Sequence, residues 1–359
     1  MKVLIIGGRG ALGRTIAQSL ADAEGVDLQL AGRDSQALGV VAKATGAQAV
    51  ALDTSDASSW SAALEGAGLV IDASRFAGRD LALPKAALES GAHWLDVSAA
   101  RPWVTGMESL NDLAVERGAV ALAGAGFFCG GLDALARAAA EPMVRVNELL
   151  VGVAGGGRGR YGPATADEWL AAGTGKVRML IGGEWTEREF FGDARAFEHP
   201  QPLGAQRSFN LDCADLELFS GYPIKATSVR VSLGLQGTLR NRVGQWLLRD
   251  RNRPDPLATA RRLAPLAGSP RLAGVTMVAR GLNDKRLPVE SRVSLVGESP
   301  GLAVETAAVR VLARRLVAGE ELEPGAGACL GRVSETEFLE AVAGEGLKVH
   351  RGDLGGWRS

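Results

Sequence analysis

The sequence has few of the residues that build metal sites and disulfides. Only 3 cysteines and 3 histidines occur among 359 residues. Cys129, Cys213 and Cys329 are widely spaced and form no C-x-x-C pair, so neither a disulfide framework nor a zinc site is indicated. The histidines are equally dispersed, and no two candidate ligands share a helical or hairpin spacing. We therefore expect no metal.

Long apolar runs and an excess of one charge are also missing. The uncharged stretch 119–132 is shorter than the roughly 20 residues that span a bilayer. Met1 and Lys2 precede an apolar run that is too short for a signal peptide. A formal net charge of -1 gives no global attraction to nucleic acid or acidic lipid. These absences predict a cytoplasmic protein with no stable membrane insertion and no nucleic-acid partner.

The sequence lacks two motifs, and each absence excludes one enzyme mechanism. The only 2 tyrosines, Tyr161 and Tyr222, have no lysine four positions later. The Tyr-x-x-x-Lys pair of short-chain reductases is therefore absent. Gly175-Lys176 is followed by Val177, where a P-loop needs serine or threonine for magnesium.

The first third of the chain alternates between short apolar runs and amphipathic stretches. Continuous apolar strands separated by helices are typical of a parallel sheet that is covered on both faces. Six strands are expected, at residues 3–6, 28–30, 49–52, 69–71, 94–97 and 120–123. We predict an α/β protein whose N-terminal part, residues 1–132, is a doubly wound Rossmann domain.

After Asp133 the pattern changes to alternating strands with few helices. Residues 275–280 and 290–295 predict a hairpin around Asn283-Asp284. Residues 133–302 are therefore expected to form an α+β substrate or dimerisation domain on a mostly antiparallel sheet. The apolar spacing of residues 304–317 predicts a helix, and we expect residues 303–359 to return to the Rossmann domain.

A G-x-G-x-x-G motif lies between the first predicted strand and the first predicted helix. Its glycines permit the tight turn, the approach of backbone amides to a pyrophosphate and close packing of helix on strand. The helix N-terminus adds free N–H donors. We predict dinucleotide binding by Gly8, Arg9, Gly10, Ala11, Leu12 and Gly13.

The end of the second strand favours NADP(H) over NAD(H). NAD sites usually have an acidic residue about 20 positions after the motif, whereas Arg33 stands here. A guanidinium suits a 2′-phosphate, and we expect Arg9, in the glycine turn itself, to reach the same phosphate. Asp34 either caps the next helix or contacts the ribose. Asp53 either contacts the adenine or caps the helix that follows it.

The loops after strands four to six should meet at the nicotinamide end of the cofactor, because ligands bind beyond the carboxyl ends of parallel strands. Ala73 and Ser74 are expected to contact the cofactor. Asp96, at the end of strand five, is the candidate catalytic acid or base. The alternative is a structural acid that holds a loop. Cys129 is either a thiol near the substrate or an ordinary buried cysteine.

The segments GGRGALG, AGRD, HWLDVS and GAGFFCGGLD, in this order, resemble the saccharopine dehydrogenase-like (saccharopine reductase) family. The resemblance is strong over residues 1–133 and weak over 150–300. It implies NADP(H) binding by Gly8, Gly10, Gly13 and Arg33. It also implies reduction or formation of C=N bonds in amino-acid substrates. The sequence departs from the family after Asp96, where Ala99-Ala100 replaces the usual Gly-Glu, so the catalytic assignment and the substrate do not transfer safely.

Together these features predict an NADP(H)-dependent oxidoreductase. Its substrate is expected to be amino-acid-like or a related carbonyl compound, bound between the domains. A homodimer is the candidate assembly. The alternative is a non-catalytic NADP(H)-binding sensor or scaffold. The glycine-rich loop 154–160 is either a carboxylate clasp or a surface turn. The arginine-rich stretch 240–262 is interpreted as a solvated helix, with a membrane-surface or partner helix as the alternative.

Overall fold

The computed structural model describes residues 1–74, 80–155, 176–190, 192–221, 223–235, 272–298 and 301–352. Residues 1–131 and 302–341 form one compact unit. The second unit contains the described parts of 132–301 together with residues 342–352. Residues 75–76, most of the loop 154–160 and the stretch 240–262 lie outside the described residues.

The first unit is built on a seven-stranded parallel sheet. Its strands are β1 (Lys2–Ile6), β2 (Asp27–Gly32), β3 (Gln48–Ala51), β4 (Ala67–Asp72), β5 (His93–Asp96), β6 (Val120–Ala123) and β15 (Gly325–Ala328). Their order is β15-β6-β5-β4-β1-β2-β3. Apart from β15 this is the doubly wound order of dinucleotide-binding folds, and the predicted Rossmann domain is confirmed.

Short helices connect these strands. They are α1 (Ala11–Leu20), α2 (Ser35–Thr45), α3 (Trp60–Leu64), α4 (Ala82–Glu89), α5 (Arg101–Gly106) and α6 (Asn111–Glu116). Leu12, Ile16 and Leu20 are buried along one side of α1, as their four-residue spacing predicts. Apolar packing therefore fixes the position of α1 beyond the carboxyl end of β1.

A segment from far along the chain completes this sheet. Helices α9 (Gly301–Val317) and α10 (Glu335–Ala341) flank β15, which pairs with β6. Arg314 donates to the carbonyl of Ser19 at 3.1 Å, and Phe338 is fully buried against Gly131. Residues 302–341 thus pack with the first unit.

The second unit contains a seven-stranded mixed sheet. Its strands are β7 (Arg145–Gly155), β10 (Arg195–Glu198), β11 (Ala205–Asn210), β12 (Ser228–Leu235), β13 (Ala273–Leu282), β14 (Pro288–Gly297) and β16 (Leu347–Arg351). The order is β10-β11-β12-β7-β13-β14-β16, and among these described strands β12 and β7 form the one parallel pair. The predicted mostly antiparallel sheet is confirmed. β16 belongs to the segment 303–359 that was expected to return to the Rossmann domain, but this strand pairs with β14 of the second sheet.

The remaining elements of the second unit are a hairpin and two helices. The hairpin is β8 (Lys176–Ile181) with β9 (Glu184–Glu189), joined by Gly182 and Gly183. The helices are α7 (Gly130–Ala140) and α8 (Asp215–Leu218). The hairpin predicted around Asn283-Asp284 is β13–β14, and Asn283 closes its turn by accepting from the backbone N–H of Lys285 and of Leu287.

The two faces of the second sheet differ in chemistry. One face carries a cross-strand row of buried Val231, Val151, Met277 and Val293. The other face, called here the polar face, carries the neighbouring row Asn210, Ser232, Gly152, Thr276 and Ser294. Side chains alternate between faces along each strand, so this polar row is set by register. His199 adds to it, with Nδ1 3.0 Å from Oγ1 of Thr276.

A membrane-spanning helix and a metal-binding cluster are both absent from the described residues. In the part of the chain that the structure describes, no helix combines the length and apolar character needed to cross a membrane. The same residues contain no group of three or more histidine, cysteine or carboxylate side chains placed to hold a metal ion.

Candidate functional site

The turn between β1 and α1 brings backbone close to backbone. Gly7 has φ +75°, and its carbonyl accepts from the N–H of Gly10 at 2.8 Å. A Cβ at Gly13 would lie 2.5 Å from the carbonyl oxygen of Gly7 and 2.8 Å from Cα of Gly8. A Cβ at Gly8 would lie 2.7 Å from Cβ of Leu30. Only glycine fits these positions, as a pyrophosphate-binding turn requires.

The N-terminus of α1 is open to a ligand. Gly10 is the N-cap and supplies no side-chain hydrogen bond. The first N–H groups of a helix have no partner within the helix, and their dipoles favour an anion. The glycine turn and the first turn of α1 therefore fit a dinucleotide pyrophosphate held by the backbone of Gly10, Ala11 and Leu12.

The end of β2 carries a helix cap and an exposed arginine. The carboxylate of Asp34 accepts from the N–H of Ala37 at 2.9 Å, so Asp34 caps α2. Nη1 of Arg9 lies 3.7 Å from Oδ2 of Asp34, and both side chains are mostly exposed. Arg33 is exposed on the same loop. Two guanidinium groups are thus exposed on the surface at the glycine turn and the end of β2.

Asp53 follows β3 and lies in the electrostatic range of Arg33. Its Oδ1 accepts from the N–H and Oγ–H of Ser55 at 2.9 and 2.7 Å. These hydrogen bonds, with a smaller contribution from the charge of Arg33, hold the pKa of Asp53 below its ordinary value. A short 3-10 helix, Ala57–Ser59, follows, and its cap is Asp56, which accepts from the N–H of Ser58. Asp53 is therefore free of the capping role that the sequence left open.

A second carboxylate stands at the carboxyl edge beside Asp96. β4 extends to Asp72, one residue beyond the predicted strand, and Asp72 and Asp96 are register partners. The sequence alone does not single out Asp72, because the apolar run predicts a strand that ends at residue 71. Oδ1 of Asp72 accepts from the N–H and Oγ–H of Ser74 at 2.8 and 2.6 Å.

Ala73 and Ser74 lie against the glycine turn. The N–H of Ala73 donates to the carbonyl of Ile6 at 3.0 Å, which continues the sheet beyond the named strands. A Cβ at Gly7 would lie 3.0 Å from both Cα and N of Ser74. The structure therefore brings Ala73 and Ser74 together with the G-x-G-x-x-G turn at one edge of the sheet.

Asp96 is enclosed by hydrogen-bond donors. Oδ2 accepts from Nε1 of Trp103 at 2.8 Å and from Nε1 of Trp94 at 3.1 Å. Oδ1 accepts from the N–H of Ser98 at 2.9 Å and from the N–H of Gly124 at 3.4 Å. The residue is 1% exposed. Both carboxyl oxygens thus accept hydrogen bonds. Those from Ser98 and Gly124 join the loops that follow β5 and β6.

Burial dominates the electrostatics of this carboxyl group. It raises the pKa of Asp96 to about 7, opposed by the hydrogen bond from Trp103 and assisted by the charge of Asp72. A carboxyl that titrates near neutral pH suits proton transfer. A carboxyl with four N–H donors and no exposed surface suits a structural role. The geometry favours the structural alternative.

Cys129 and His93 occupy structural positions. Cys129 is fully buried with φ +63°, and a Cβ at Gly124 would lie 2.7 Å from its Sγ. Nδ1 of His93 accepts from the N–H of Val120 at 3.1 Å. Its burial lowers the pKa of His93. Cys129 is thus a packed thiol, and His93 joins β5 to β6.

The glycine turn, the open helix N-terminus and the doubly wound sheet define a dinucleotide-binding domain. Residues 3–122 match the family model of the saccharopine dehydrogenase NADP binding domain. This part of the chain is therefore similar to the NADP-binding domain of saccharopine dehydrogenases. The resemblance seen in the sequence is confirmed for it. None of the curated proteins is significantly similar to the chain.

One solved structure extends the likeness in fold to 98% of this chain. The apo histidine-tagged saccharopine dehydrogenase (L-Glu forming) from Saccharomyces cerevisiae is 14% identical, with a TM-score of 0.69 over 98% of this chain and 99% of that one. At this identity the likeness concerns the fold alone. A probable dehydrogenase from Thermotoga maritima is 9% identical, with a TM-score of 0.49 over 95% of this chain and 93% of that one.

Proposed function

We propose that the protein is an NADP(H)-dependent oxidoreductase that transfers hydride to or from a C=N or C–N bond of an amino-acid-like substrate, or a related carbonyl. The observation that carries this proposal is the fit of the glycine turn to a dinucleotide, within a domain that matches the saccharopine dehydrogenase NADP-binding model. Bound NADP(H) supplies or accepts the hydride.

The residues around the cofactor have separate roles in this proposal. Backbone N–H groups at the start of α1 bind the pyrophosphate, while the three glycines keep side chains out of its way. Arg9 and Arg33 bind the 2′-phosphate, and Asp53 faces the adenosine. The proposed cofactor site consists of Gly8, Arg9, Gly10, Ala11, Leu12, Gly13, Arg33, Asp53, Ala73 and Ser74.

Asp96 is proposed as a positioning residue. It joins the backbone of Ser98 to that of Gly124, so the loops after β5 and β6 keep one arrangement. The catalytic alternative rests on its pKa of about 7. Replacing Asp96 by asparagine distinguishes the two roles. A positioning role predicts a less stable protein, whereas proton transfer predicts a stable protein whose hydride-transfer rate falls by about 10²–10⁴-fold.

The test of the proposed function separates binding from turnover. NADPH and NADH are titrated by fluorescence, and NADPH oxidation is then followed with a panel of 2-oxo acids paired with amines, and with cyclic imines. We expect tight NADPH binding and turnover of at least one pair. Tight binding with no turnover across the panel would favour the sensor or scaffold alternative. Loss of NADPH binding itself would overturn the cofactor assignment.

A further inference from the structure

The polar face of the second sheet contains a cluster that meets at Asp193. Nδ2 of Asn210 lies 3.3 Å from the carboxylate Oδ2 of Asp193. Nη2 of Arg230 donates to the backbone carbonyl of Asp193 at 2.8 Å, and Nε of Arg188 lies 3.8 Å from its Oδ2. Three side chains from separate segments therefore converge on one residue.

Strand register places these groups on one face. Asn210 is paired with Ser232, and Arg230 lies two residues before Ser232 on β12. Arg195 is paired with Ser208, which lies two residues before Asn210 on β11. Because side chains alternate along a strand, Arg195, Asn210 and Arg230 share the polar face. The cluster follows from the sheet and does not depend on one loop.

The positive charge of this cluster is only partly balanced by carboxylates. Among the described residues, no carboxylate oxygen lies within 4 Å of the Arg230 guanidinium, which is half-buried. Burial lowers the pKa of Arg230, and the neighbouring charges of Arg195 and Arg188 act in the same direction. Two carboxylates oppose this shift: that of Asp193, which Arg188 and Asn210 share, and that of Glu148, which is paired with Arg280. A bound anion would offset the remaining positive charge.

Arg280, on the same face, shows the contrasting case. It forms ion pairs with Glu148 and with Glu290, and Arg292 also contacts Glu290 at 3.0 Å. These guanidinium groups have carboxylate partners within the sheet. Arg230 lacks such a partner among the described side chains. The guanidinium of Arg230, unlike that of Arg280, is therefore without a carboxylate at ion-pair distance.

The side-chain amide of Asn210 contributes a second unsatisfied group to the cluster. Its side chain is fully buried, and Oδ1 has no hydrogen-bond donor among the described residues. The amide orientation is fixed because Nδ2 faces two acceptors, the carbonyl of Glu189 and the carboxylate of Asp193, both at 3.3 Å. Leaving a buried acceptor unpaired is unfavourable, because the acceptor has lost its hydrogen bonds to water. An N–H or O–H group of a ligand would satisfy it.

We propose that Arg230 and Asn210 form a binding site for a small carboxylate that carries a hydrogen-bond donor on its α-carbon, as 2-amino and 2-hydroxy acids do. The carboxylate pairs with the Arg230 guanidinium, and Arg195 and Arg188 add to the attraction. The α-substituent donates to Oδ1 of Asn210. The site lies within the second unit, and the inference does not depend on the cofactor or on turnover.

The test measures binding to the whole protein without cofactor. L-Alanine, L-lactate, propionate and inorganic phosphate are each titrated by calorimetry and by thermal shift. Propionate has the carboxylate but no donor, and phosphate has the charge with a different shape. The variants are Arg230→Met, Arg230→Lys and Asn210→Leu. The matched control is Arg207→Met, which removes an arginine that stacks on Phe209 on the opposite face.

We expect alanine and lactate to bind wild-type protein at least several-fold more tightly than propionate. Arg230→Met should weaken them by about 10-fold or more, the effect of losing one charge-assisted hydrogen bond. Arg230→Lys should be intermediate, and Arg207→Met unchanged. Asn210→Leu should remove the advantage over propionate. Unchanged alanine and lactate affinity in folded Arg230→Met would overturn the site. Binding of phosphate but of no carboxylate would overturn the ligand class.

Discussion

Asp96 stands in direct register with Asp72, so two buried carboxyl groups end adjacent strands at one edge of the first sheet. Each one organises backbone near the glycine turn. Asp72 holds Ser74, while Asp96 holds Ser98 and Gly124. This edge is sensitive to pH, because burial, assisted by the charge of Asp72, raises the pKa of Asp96 to about 7.

Stability should rise as pH falls through the titration range of Asp96. Its pKa is raised from 3.8 to about 7 in the folded protein. Between these values the folded state binds a proton that the unfolded state does not. From pH 8 to pH 5.5 this group alone should add about 2 kcal/mol to the free energy of unfolding. Denaturant unfolding of wild type and Asp96→Asn at both pH values measures it, and an identical pH dependence in the variant would contradict the prediction.

His199 should act in the opposite direction. Burial lowers the pKa of His199 from 6.5 to about 4. Below pH 6.5 the unfolded chain binds a proton that the folded protein excludes, so the stability due to neutral His199 is lost as pH falls towards 4. Between pH 7.5 and 5.5 the loss should be about 1 kcal/mol. His199→Gln should lose less stability than wild type over this interval, and an equal loss would show that His199 titrates normally.

Arg33 should control the choice of cofactor. Arg33→Glu replaces attraction to a 2′-phosphate by repulsion, while NADH offers no phosphate at that position. NADPH affinity should fall by about 10- to 150-fold, corresponding to a charge-assisted hydrogen bond, with NADH affinity little changed. Fluorescence titration of both nucleotides tests this. Arg117→Glu, an equal charge change at the exposed end of α6, is the control, and equal losses for both nucleotides would remove Arg33 from the 2′-phosphate site.

Gly13 should not accept a methyl group. In Gly13→Ala the new Cβ would meet the backbone of Gly7 and Gly8, which cannot move aside as a side chain can. We expect a loss of about 1–3 kcal/mol in stability and loss of NADPH binding. Gly39→Ala is the matched control, because nothing lies within 4 Å of its Cβ position. It should stabilise α2 by up to about 1 kcal/mol. Normal NADPH binding by Gly13→Ala would show that the turn is less tight than described.

Much of the first unit could be predicted from the sequence because its strands are continuous apolar runs. Val3 to Ile6 are buried as expected. β15 escaped prediction because its sequence, Gly-Ala-Gly-Ala, has little strand propensity. Gly325 and Gly327 have φ values of +152° and +158°, which side-chain-bearing residues rarely adopt. The strand therefore depends on the conformational freedom of its two glycines. A hydrophobic pattern cannot reveal such a strand.

The candidate site was predictable in its backbone and less so in its side chains. Gly8, Gly10 and Gly13 follow a fixed spacing, and the structure brings them together with Ser74. The enclosure of Asp96 depends on Trp94 and Trp103, whose indole N–H groups converge only once α5 has packed beside β5. The cluster at Asp193 depends in the same way on register between β11 and β12. Contacts between distant segments leave no local pattern.

The pairing of β15 with β6 also constrains the order of events during synthesis. Residues 120–123 leave the ribosome about two hundred residues before their partner strand, 325–328. Until then, the nascent nucleotide-binding domain has β6 as an unpaired edge, and the pocket that Phe338 fills beside Gly131 is empty. Open edges of this kind attract other chains. The newly made N-terminal domain should therefore depend on chaperones until residues 302–341 emerge and cover that edge.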